Sequence, residues 1–197
     1  MKALAATPLT RLRFHVEAAP VELRRKLADD IAEMDAMLAA TLAFVRDATQ
    51  PGPRARVELS SLLDSVASDF IEIGRDVRLQ HSEPTVVLGD SLALKRLFAN
   101  LIDNAVKFGG LARVRLQQEE GGVAIVEVED DGPGLPEDEL EAVFEPFRRA
   151  EPSRSRDTGG IGLGLTAART IARSHGGDIV LSNRRGGGLA AKVTLPT

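Results

Sequence analysis

The chain contains no cysteine, which excludes disulfide bonds, thiolate metal sites and a cysteine nucleophile. Its three histidines, His15, His81 and His175, are scattered, so we do not expect a zinc site. No stretch approaches the ~18 apolar residues of a membrane helix, and the first apolar run is too short for a signal peptide. A formal charge of −4 gives no reason to expect nucleic-acid binding. We therefore expect a soluble cytoplasmic domain without a membrane segment.

What is present is ordinary globular composition: 43% hydrophobic and 27% charged residues in a chain of 197, enough for one or two domains. Residues 8–48 carry apolar side chains at steps of three and four, which predicts two helices separated at Pro20. Two such helices cannot bury their apolar seams by pairing only with each other. We expect a helical hairpin that forms a four-helix bundle in a homodimer, and the alternative is a hairpin docked on the remaining domain.

The pattern changes after a Pro- and Gly-containing linker. We predict a dimerisation hairpin at residues 1–49, a linker at 50–56 and a second domain at 57–197. In that domain the predicted strands are 57–59, 77–80, 85–88, 112–119, 123–129, 178–182 and 189–195. The predicted helices are 60–73 (capped by Ser60 or Ser61), 91–108 (capped by Asp90), 137–143 and 163–175, with a mobile loop at 148–160. The fold class is an α+β two-layer sandwich: a mixed, mostly antiparallel sheet with helices on one face.

The predicted helix at 91–108 has one polar line opposite its apolar stripe. Asn100, Asn104 and Lys107 follow each other at i, i+4 and i+7. Amide oxygens suit Mg²⁺ and a lysine suits phosphate, so this face could hold a metal ion and a phosphate group. The alternative is a solvated face of an ordinary amphipathic helix.

Two glycine clusters complete a candidate nucleotide site. Residues 130–134 (Asp-Asp-Gly-Pro-Gly) close a predicted strand, where a fixed carboxylate could accept a hydrogen bond from an exocyclic amine. Residues 159–165 (Gly-Gly-Ile-Gly-Leu-Gly-Leu) open a helix whose backbone N–H groups could bind phosphate. Part of this second cluster fits the dinucleotide pattern, but no strand directly precedes it, and we reject that interpretation.

Four segments in order resemble the motif boxes of one family. Residues 100–107, 130–134, 144–148 (Phe-Glu-Pro-Phe-Arg) and 160–164 look like the N, G1, F and G2 boxes of sensor histidine kinases. This resemblance covers nearly all of 57–197. It implies an ATP-binding domain of the GHKL type, with ATP and Mg²⁺ as cofactors and a flexible lid at about 148–160.

The resemblance also implies roles for individual residues. Asn104, assisted by Asn100, would coordinate Mg²⁺, Lys107 would meet phosphate, and Phe108 would lie beside the nucleotide. Asp130 would hold the adenine amine. The remaining positions would line the base pocket, anchor the lid or contact phosphate: Gly132, Gly134, Phe144, Phe147, Gly160, Gly162, Leu163, Gly164 and Leu165.

The residue type at position 100 also distinguishes phosphoryl-transferring from hydrolytic members of this group. Hydrolytic relatives of the gyrase, mismatch-repair and chaperone type resemble this helix but have Glu at this position, where it acts as general base. An amide has no useful proton affinity for that work. The resemblance therefore implies transfer of the phosphoryl group to another acceptor, a histidine and then an aspartate in the receiver domain of a response regulator.

The acceptor motif departs from the family. Residues 7–13 resemble the second half of the H box, which places the acceptor histidine at position 3, where this chain has Ala3. His15 lies twelve residues further on, more than three helical turns away, and cannot replace it. Thr7 occupies the position that assists dephosphorylation of the regulator in the family. Either the H box is truncated or substituted, or the protein is a natural variant that passes phosphate elsewhere or nowhere.

We accordingly expect the cytoplasmic kinase core of a sensor histidine kinase that binds ATP without autophosphorylation, from a protein that is membrane-anchored elsewhere. One rival is a non-catalytic, pseudokinase-like regulatory dimer. Another is an anti-sigma-factor serine kinase, which shares the ATP-binding fold but lacks an amphipathic hairpin.

Overall fold

The computed structural model describes residues 8, 10–12, 15–16, 20–49, 52–80, 84–119, 121–148 and 162–197. The chain divides into two compact units, Met1–Val45 and Arg46–Thr197. Among the described residues no helix is both long enough and apolar enough to cross a membrane.

The first unit is helical wherever it is described, except at Pro20. Helix α1 spans Val21–Thr49 and continues into the second unit. Pro20 precedes it as predicted, and its carbonyl accepts the backbone N–H groups of Leu23 and Arg24, both at 3.0 Å. Val16 and Ile31 are buried together, with Leu27 packed against them. The other apolar side chains that are described here are exposed: Leu12, Val21, Leu23, Met34, Met37, Leu38 and Leu42.

The second unit is an α+β sandwich, which confirms the predicted fold class for this part of the chain. Its strands are β1 (Ala55–Glu58), β2 (Asp76–Gln80), β3 (Val86–Gly89), β4 (Leu111–Glu119), β5 (Val123–Glu129), β6 (Asp178–Asn183) and β7 (Leu189–Pro196). Its further helices are α2 (Leu59–Glu72), α3 (Ser91–Gly109), α4 (Glu139–Ala142) and α5 (Gly164–Ser174).

The main sheet has the order β2-β4-β5-β7-β6. Only β2 and β4 are parallel, and the other pairs are antiparallel, so the sheet is mixed and mostly antiparallel. β1 and β3 form a separate antiparallel pair. The two predicted hairpins, β4-β5 and β6-β7, are both present, because alternating apolar residues flank turns built from glycine.

The core lies between this sheet and helices α2, α3 and α5. Helix α3 contributes most to it, with seven buried residues: Leu94, Leu97, Phe98, Leu101, Ile102, Ala105 and Val106. As predicted, Asp90 caps this helix, accepting the N–H groups of Leu92 and Ala93. The helix ends at Gly110, whose φ of +78° is the left-handed conformation that favours glycine at a C-cap.

Two local predictions for the start of this unit were wrong. β1 begins at Ala55, two residues before the predicted strand, because pairing with β3 supplies partners that the sequence does not reveal. The cap of α2 is Glu58 and neither serine: its carboxylate accepts the N–H groups of Ser60 and Ser61 at 2.9 and 2.8 Å. Both serine hydroxyls donate to the same carboxylate, which explains why they lie inside the first turn.

Candidate functional site

The polar line on α3 faces the start of α5. Asn100, Asn104 and Lys107 are half-buried, on the side opposite the core residues. A Cβ atom built on Gly164 would lie 3.8 Å from Nδ2 of Asn104 and 4.0 Å from Cγ and Oδ1 of Asn100. The structure therefore brings the two predicted amide ligands together with the second glycine cluster.

Among the described residues no side chain caps the first turn of helix α5. Its N-cap is Leu163, which supplies no side-chain hydrogen bond to the helix. Leu163 itself is buried and Leu165 is half-buried beside the core. Free N–H groups at a helix N-terminus attract anions, so this end of α5 can accept a phosphate group beside the amides of α3.

The C-terminal end of α3 lies directly against the loop that follows β5. A Cβ on Gly109 would lie only 2.5 Å from Cβ of Asp130, and one on Gly132 only 2.9 Å from the carbonyl oxygen of Phe108. Any larger residue at these two positions would push the loop away from the helix. Gly109 at the helix end and Gly132 of the first cluster thus allow Asp130 to approach α3.

Asp130 is the buried acid of the site. Its Oδ1 accepts the N–H groups of Gly132 at 2.7 Å and of Leu189 at 3.2 Å, whereas Oδ2 accepts no hydrogen bond from the described residues. Burial raises the pKa of this carboxyl above its ordinary value, and the two N–H groups oppose that rise. One oxygen is therefore fixed by the backbone and the other is left for a hydrogen-bond donor.

Two residues that the sequence did not mark as functional support this loop. Asn183 binds the backbone of Leu135 in both directions, accepting its N–H at 2.9 Å and donating to its carbonyl at 2.7 Å. Gly134 lies against the same amide, with a φ of +73°. Arg184 donates to the carbonyl of Asp130 at 2.7 Å. In the sequence these two residues look like an ordinary turn after a strand, so no local signal could have identified them.

The described residues on both sides of the predicted lid are joined. The N–H of Phe147 donates to the carbonyl of Gly162 at 3.0 Å. Phe147 has a φ of +65°, the only such value among described residues other than glycine, and Gly162 has +72°. Gly160 and the loop predicted at 148–160 lie outside the described residues, except for Arg148.

Phe144 packs against α5. The guanidinium of Arg169 lies 4.4 Å from the centre of its ring and also pairs with Asp178 at 2.8 Å and with Glu141. An open cleft of about 550 Å³ between α4 and α5 is lined in part by Phe144, Arg169 and Thr166. Here α4 is shorter than predicted, four residues in place of seven.

The remaining predicted residues are at the rim or outside the described part of the chain. Phe108 is exposed, and the ammonium group of Lys107 lies 5.6 Å from the centre of its ring. Among the described residues Lys107 has no ion-pair partner, so its charge is available to a ligand. Ala3 and Thr7 lie outside the described residues, and His15 is an exposed helical residue.

Among the described residues no cluster of acids and histidines forms a metal site. Within the part of the chain that the structure describes, no three or more His, Cys, Asp or Glu side chains come close enough to hold an ion. Any metal ion at the polar line would therefore depend on amide oxygens and on groups that the ligand brings.

Comparison with known proteins identifies the family. Residues 89–197 match the family of histidine kinase-, DNA gyrase B- and HSP90-like ATPases. The chain is 42% identical over 193 residues to the sensor histidine kinase GtrS of Pseudomonas aeruginosa, covering 96% of this chain and 39% of that protein. It is 35% identical over 206 residues to the sensor protein CutS of Streptomyces coelicolor, covering 96% of this chain and 50% of that one.

Solved structures agree with this assignment. The ATP-binding domain of PrrB from Mycobacterium tuberculosis superposes with a TM-score of 0.61 at 31% identity, covering 74% of this chain and 98% of that domain. A full-length ShkA in complex with AMPPNP gives a TM-score of 0.75 over 98% of this chain and 44% of that one; at 23% identity it shows the shared fold.

These matches cover more than half of the chain, and they confirm the resemblance noted in the motif boxes. The chain belongs to the histidine kinase-, DNA gyrase B- and HSP90-like ATPase family and, within it, to the sensor histidine kinases of two-component signal transduction. It spans only about 39 to 50% of the length of the curated relatives just described.

Proposed function

We propose that the unit formed by residues 57–197 binds Mg-ATP and holds it for phosphoryl transfer to a histidine. The observation that carries this proposal is the arrangement around the middle and the C-terminal end of α3. Near its middle Asn100 and Asn104 adjoin the start of α5, and at its C-terminal end lies the loop of Asp130, where among the described residues one carboxylate oxygen is unpaired. A nucleotide needs both kinds of group, one for its phosphates and one for its base.

In this proposal each group acts by binding and orienting. Oδ2 of Asp130 accepts the exocyclic amine of adenine, while Gly132 and Gly134 keep the base pocket free of side chains. Lys107 and the N–H groups at the start of α5, which follow Gly162 and Gly164, neutralise phosphate charge. Phe108 covers the nucleotide, and Phe147 anchors the lid that contains Gly160.

The polar line fits Mg²⁺ through the amide oxygen of Asn104, with Asn100 as a second ligand. Mg²⁺ is commonly held by few protein ligands together with phosphate oxygens and water, and so it does not require an acidic cluster. When bound, the ion would neutralise the charge of the phosphates. The chain's own contribution is to present the amides on a rigid, buried helix.

The polar line on α3 also disfavours rapid hydrolysis of ATP. Asn100 occupies the position where the hydrolytic relatives carry the general base, and an amide cannot accept a proton from water. Positioning and charge stabilisation, which this site can provide, suffice for transfer to a nucleophile supplied by another group.

This chain has no histidine at the position expected for the phosphoryl acceptor. In the full protein we propose that residues 8–48 form a helical hairpin and, in a homodimer, a four-helix bundle that presents a histidine, which then phosphorylates an aspartate of a response regulator. With Ala3 at the acceptor position, this chain does not autophosphorylate. Thr7 would retain a weakened role in dephosphorylating the regulator. We place the kinase core in the cytoplasm of a protein that is anchored elsewhere.

Calorimetric titration with ATP tests this assignment. We expect binding that Mg²⁺ strengthens, loss of that Mg²⁺ effect in Asn104→Ala, and weaker ATP binding in Asp130→Asn with or without the ion. Arg185→Ala, a change of an exposed side chain, should bind like the unchanged protein. Failure to bind ATP at millimolar concentration in folded protein would refute the proposal.

A second function deserves testing because of the residue at position 3. A non-catalytic regulatory dimer would bind ATP at the same site and pass phosphate to no acceptor. The two functions differ in whether a histidine supplied by another chain becomes phosphorylated.

A further inference from the structure

One arginine holds three consecutive residues at the end of β5. Nη1 of Arg184 donates to the carbonyl oxygen of Asp130 at 2.7 Å and to Oδ1 of Asp131 at 2.8 Å. Its Nη2 lies 3.5 Å from Oε2 of Glu129. The side chain is only 27% exposed, so these contacts are partly shielded from water.

Arg184 is itself fixed by the turn from β6 to β7. Its N–H donates to the carbonyl of Gly188 at 3.0 Å, and its own carbonyl accepts the N–H of Gly187 at 3.1 Å. Gly188 lies so close that a Cβ on it would be 2.0 Å from the carbonyl oxygen of Asp130. The backbone of Arg184 is therefore fixed, and its guanidinium lies where the turn from β6 to β7 closely approaches Asp130.

The contact with Asp130 is not duplicated by the other arginine nearby. Arg113 pairs with both carboxylate oxygens of Asp131, at 2.7 and 2.6 Å, so that side chain keeps two hydrogen bonds when Arg184 is removed. Among the described residues Arg184 makes the only side-chain hydrogen bond to the carbonyl of Asp130. Loss of Arg184 should therefore affect Asp130 more than the rest of the loop.

We propose that Arg184 is a specificity-determining positioning residue: it fixes the backbone of Asp130 so that the free carboxylate oxygen selects a base with an exocyclic amine. This inference rests on the proposed nucleotide site and assigns to it a residue outside the four motif boxes. Arg184 acts through Asp130 and is not a catalytic residue.

The charge of Arg184 acts in the same direction. Burial raises the pKa of Asp130, and the nearby guanidinium lowers it. A protonated acid would offer a donor where the amine of adenine needs an acceptor. Arg184 thus holds the carboxylate in place and favours its ionised form.

The test compares ATP with ITP, which carries a carbonyl oxygen in place of the exocyclic amine. Dissociation constants for both nucleotides are measured with Mg²⁺ for the unchanged chain, Arg184→Met, Arg184→Lys and the adjacent control Arg185→Met. We expect the preference for ATP over ITP to fall about tenfold in Arg184→Met, the order of one charged hydrogen bond, and to be partly kept in Arg184→Lys. As the pH is lowered, ATP binding by Arg184→Met should begin to weaken at a higher pH than ATP binding by the unchanged chain. The reason is that Asp130 accepts a proton more readily without the guanidinium.

The outcomes separate this inference from the proposed function. A merely structural role would weaken ATP and ITP binding by the same factor and leave the pH profile unmoved, which would overturn the inference. If Asp130→Asn loses the preference for ATP over ITP and both Arg184 variants keep it, the inference about Arg184 fails and the proposed function stands. If the unchanged chain shows no preference for ATP, base selection by Asp130 fails and the inference fails with it. If Arg184→Met does not fold, the ratio of the ATP and ITP dissociation constants of Arg184→Lys decides between these outcomes.

Discussion

Asp90 and Glu58 cap consecutive long helices of the second unit, yet only Asp90 could be predicted. Asp is a frequent N-cap, and Asp90 stands directly before a clear apolar period. Glu58 ends a strand and precedes two serines that are better N-cap residues by propensity. Its longer side chain reaches both N–H groups and both hydroxyls at once, a geometry that the sequence pattern does not show.

Glu58 makes the cap of α2 sensitive to acid. Its hydrogen bonds with Ser60 and Ser61 lower the pKa of Glu58 from 4.5 to about 2. Because the folded-state pKa is the lower one, the stabilisation is complete above pH 4.5 and disappears as the pH falls toward 2. Glu58→Gln should lower the free energy of unfolding by about 1 kcal/mol at pH 7. That difference should vanish near pH 2.

Chemical denaturation at several pH values measures this difference. Glu72→Gln changes an exposed acid at the other end of the same helix and serves as control. A difference for Glu58→Gln that stays constant from pH 7 to pH 2 would show that the cap does not depend on the charge.

Thr166 is buried, and among the described residues its hydroxyl has no hydrogen-bond partner. An unpaired buried hydroxyl is unfavourable, whereas valine has nearly the same shape without that group. Thr166→Val should raise the free energy of unfolding by about 1 kcal/mol. Thr170→Val is the matched control, because the Thr170 hydroxyl already donates to the carbonyl of Thr166 at 2.8 Å and has less to gain. A loss of stability in Thr166→Val would contradict this account.

At the scale of elements, the strands and helices of the second unit follow the sequence closely. Period-two alternation and glycine turns predicted both hairpins, and apolar period predicted α2, α3 and α5. The exception is α4, whose four residues are too few to show an apolar period and which contacts β6 and, through the Glu141–Arg169 ion pair, α5. A local sequence pattern does not predict contacts between separate elements.

Arg169 provides one such link, stacking on Phe144 while pairing with Asp178 and Glu141. Its side chain is only 12% exposed, so removing it takes away a mostly buried contact with Phe144 and leaves Asp178, which is 39% exposed, with Arg173 as its remaining ion-pair partner. Arg169→Met should lower the free energy of unfolding by about 2 kcal/mol. Arg173 pairs with the same Asp178 but is 58% exposed, and Arg173→Met should cost less than about 1 kcal/mol. Equal losses in the two variants, measured by urea denaturation, would refute the dependence on burial.

At the scale of the whole molecule, the site joins segments that are far apart in sequence. Asn100, Asp130 and Gly164 were each predicted from a local motif, and the fold brings the first and third together while α3 links them to the second. Their order could be read from the sequence because each box is a short, continuous motif. The supporting Arg184 could not, since its partners are set only by sheet order.

Under the proposed function the second unit binds ATP, and Asn100 disfavours its hydrolysis. The resemblance to the H box assigns the acceptor histidine to position 3, where the sequence has Ala3, and His15 lies twelve residues further on. Transfer should therefore need a histidine from another chain.

Incubation with γ-³²P-labelled ATP and Mg²⁺ tests whether transfer needs a histidine from another chain. The chain is incubated alone and with a sensor kinase relative whose H box is intact and whose own nucleotide site has been disabled. We expect no acid-labile phosphate on this chain and labelling of the relative's histidine. Acid-labile phosphate on His15, or no label on the relative while ATP is bound, would contradict it.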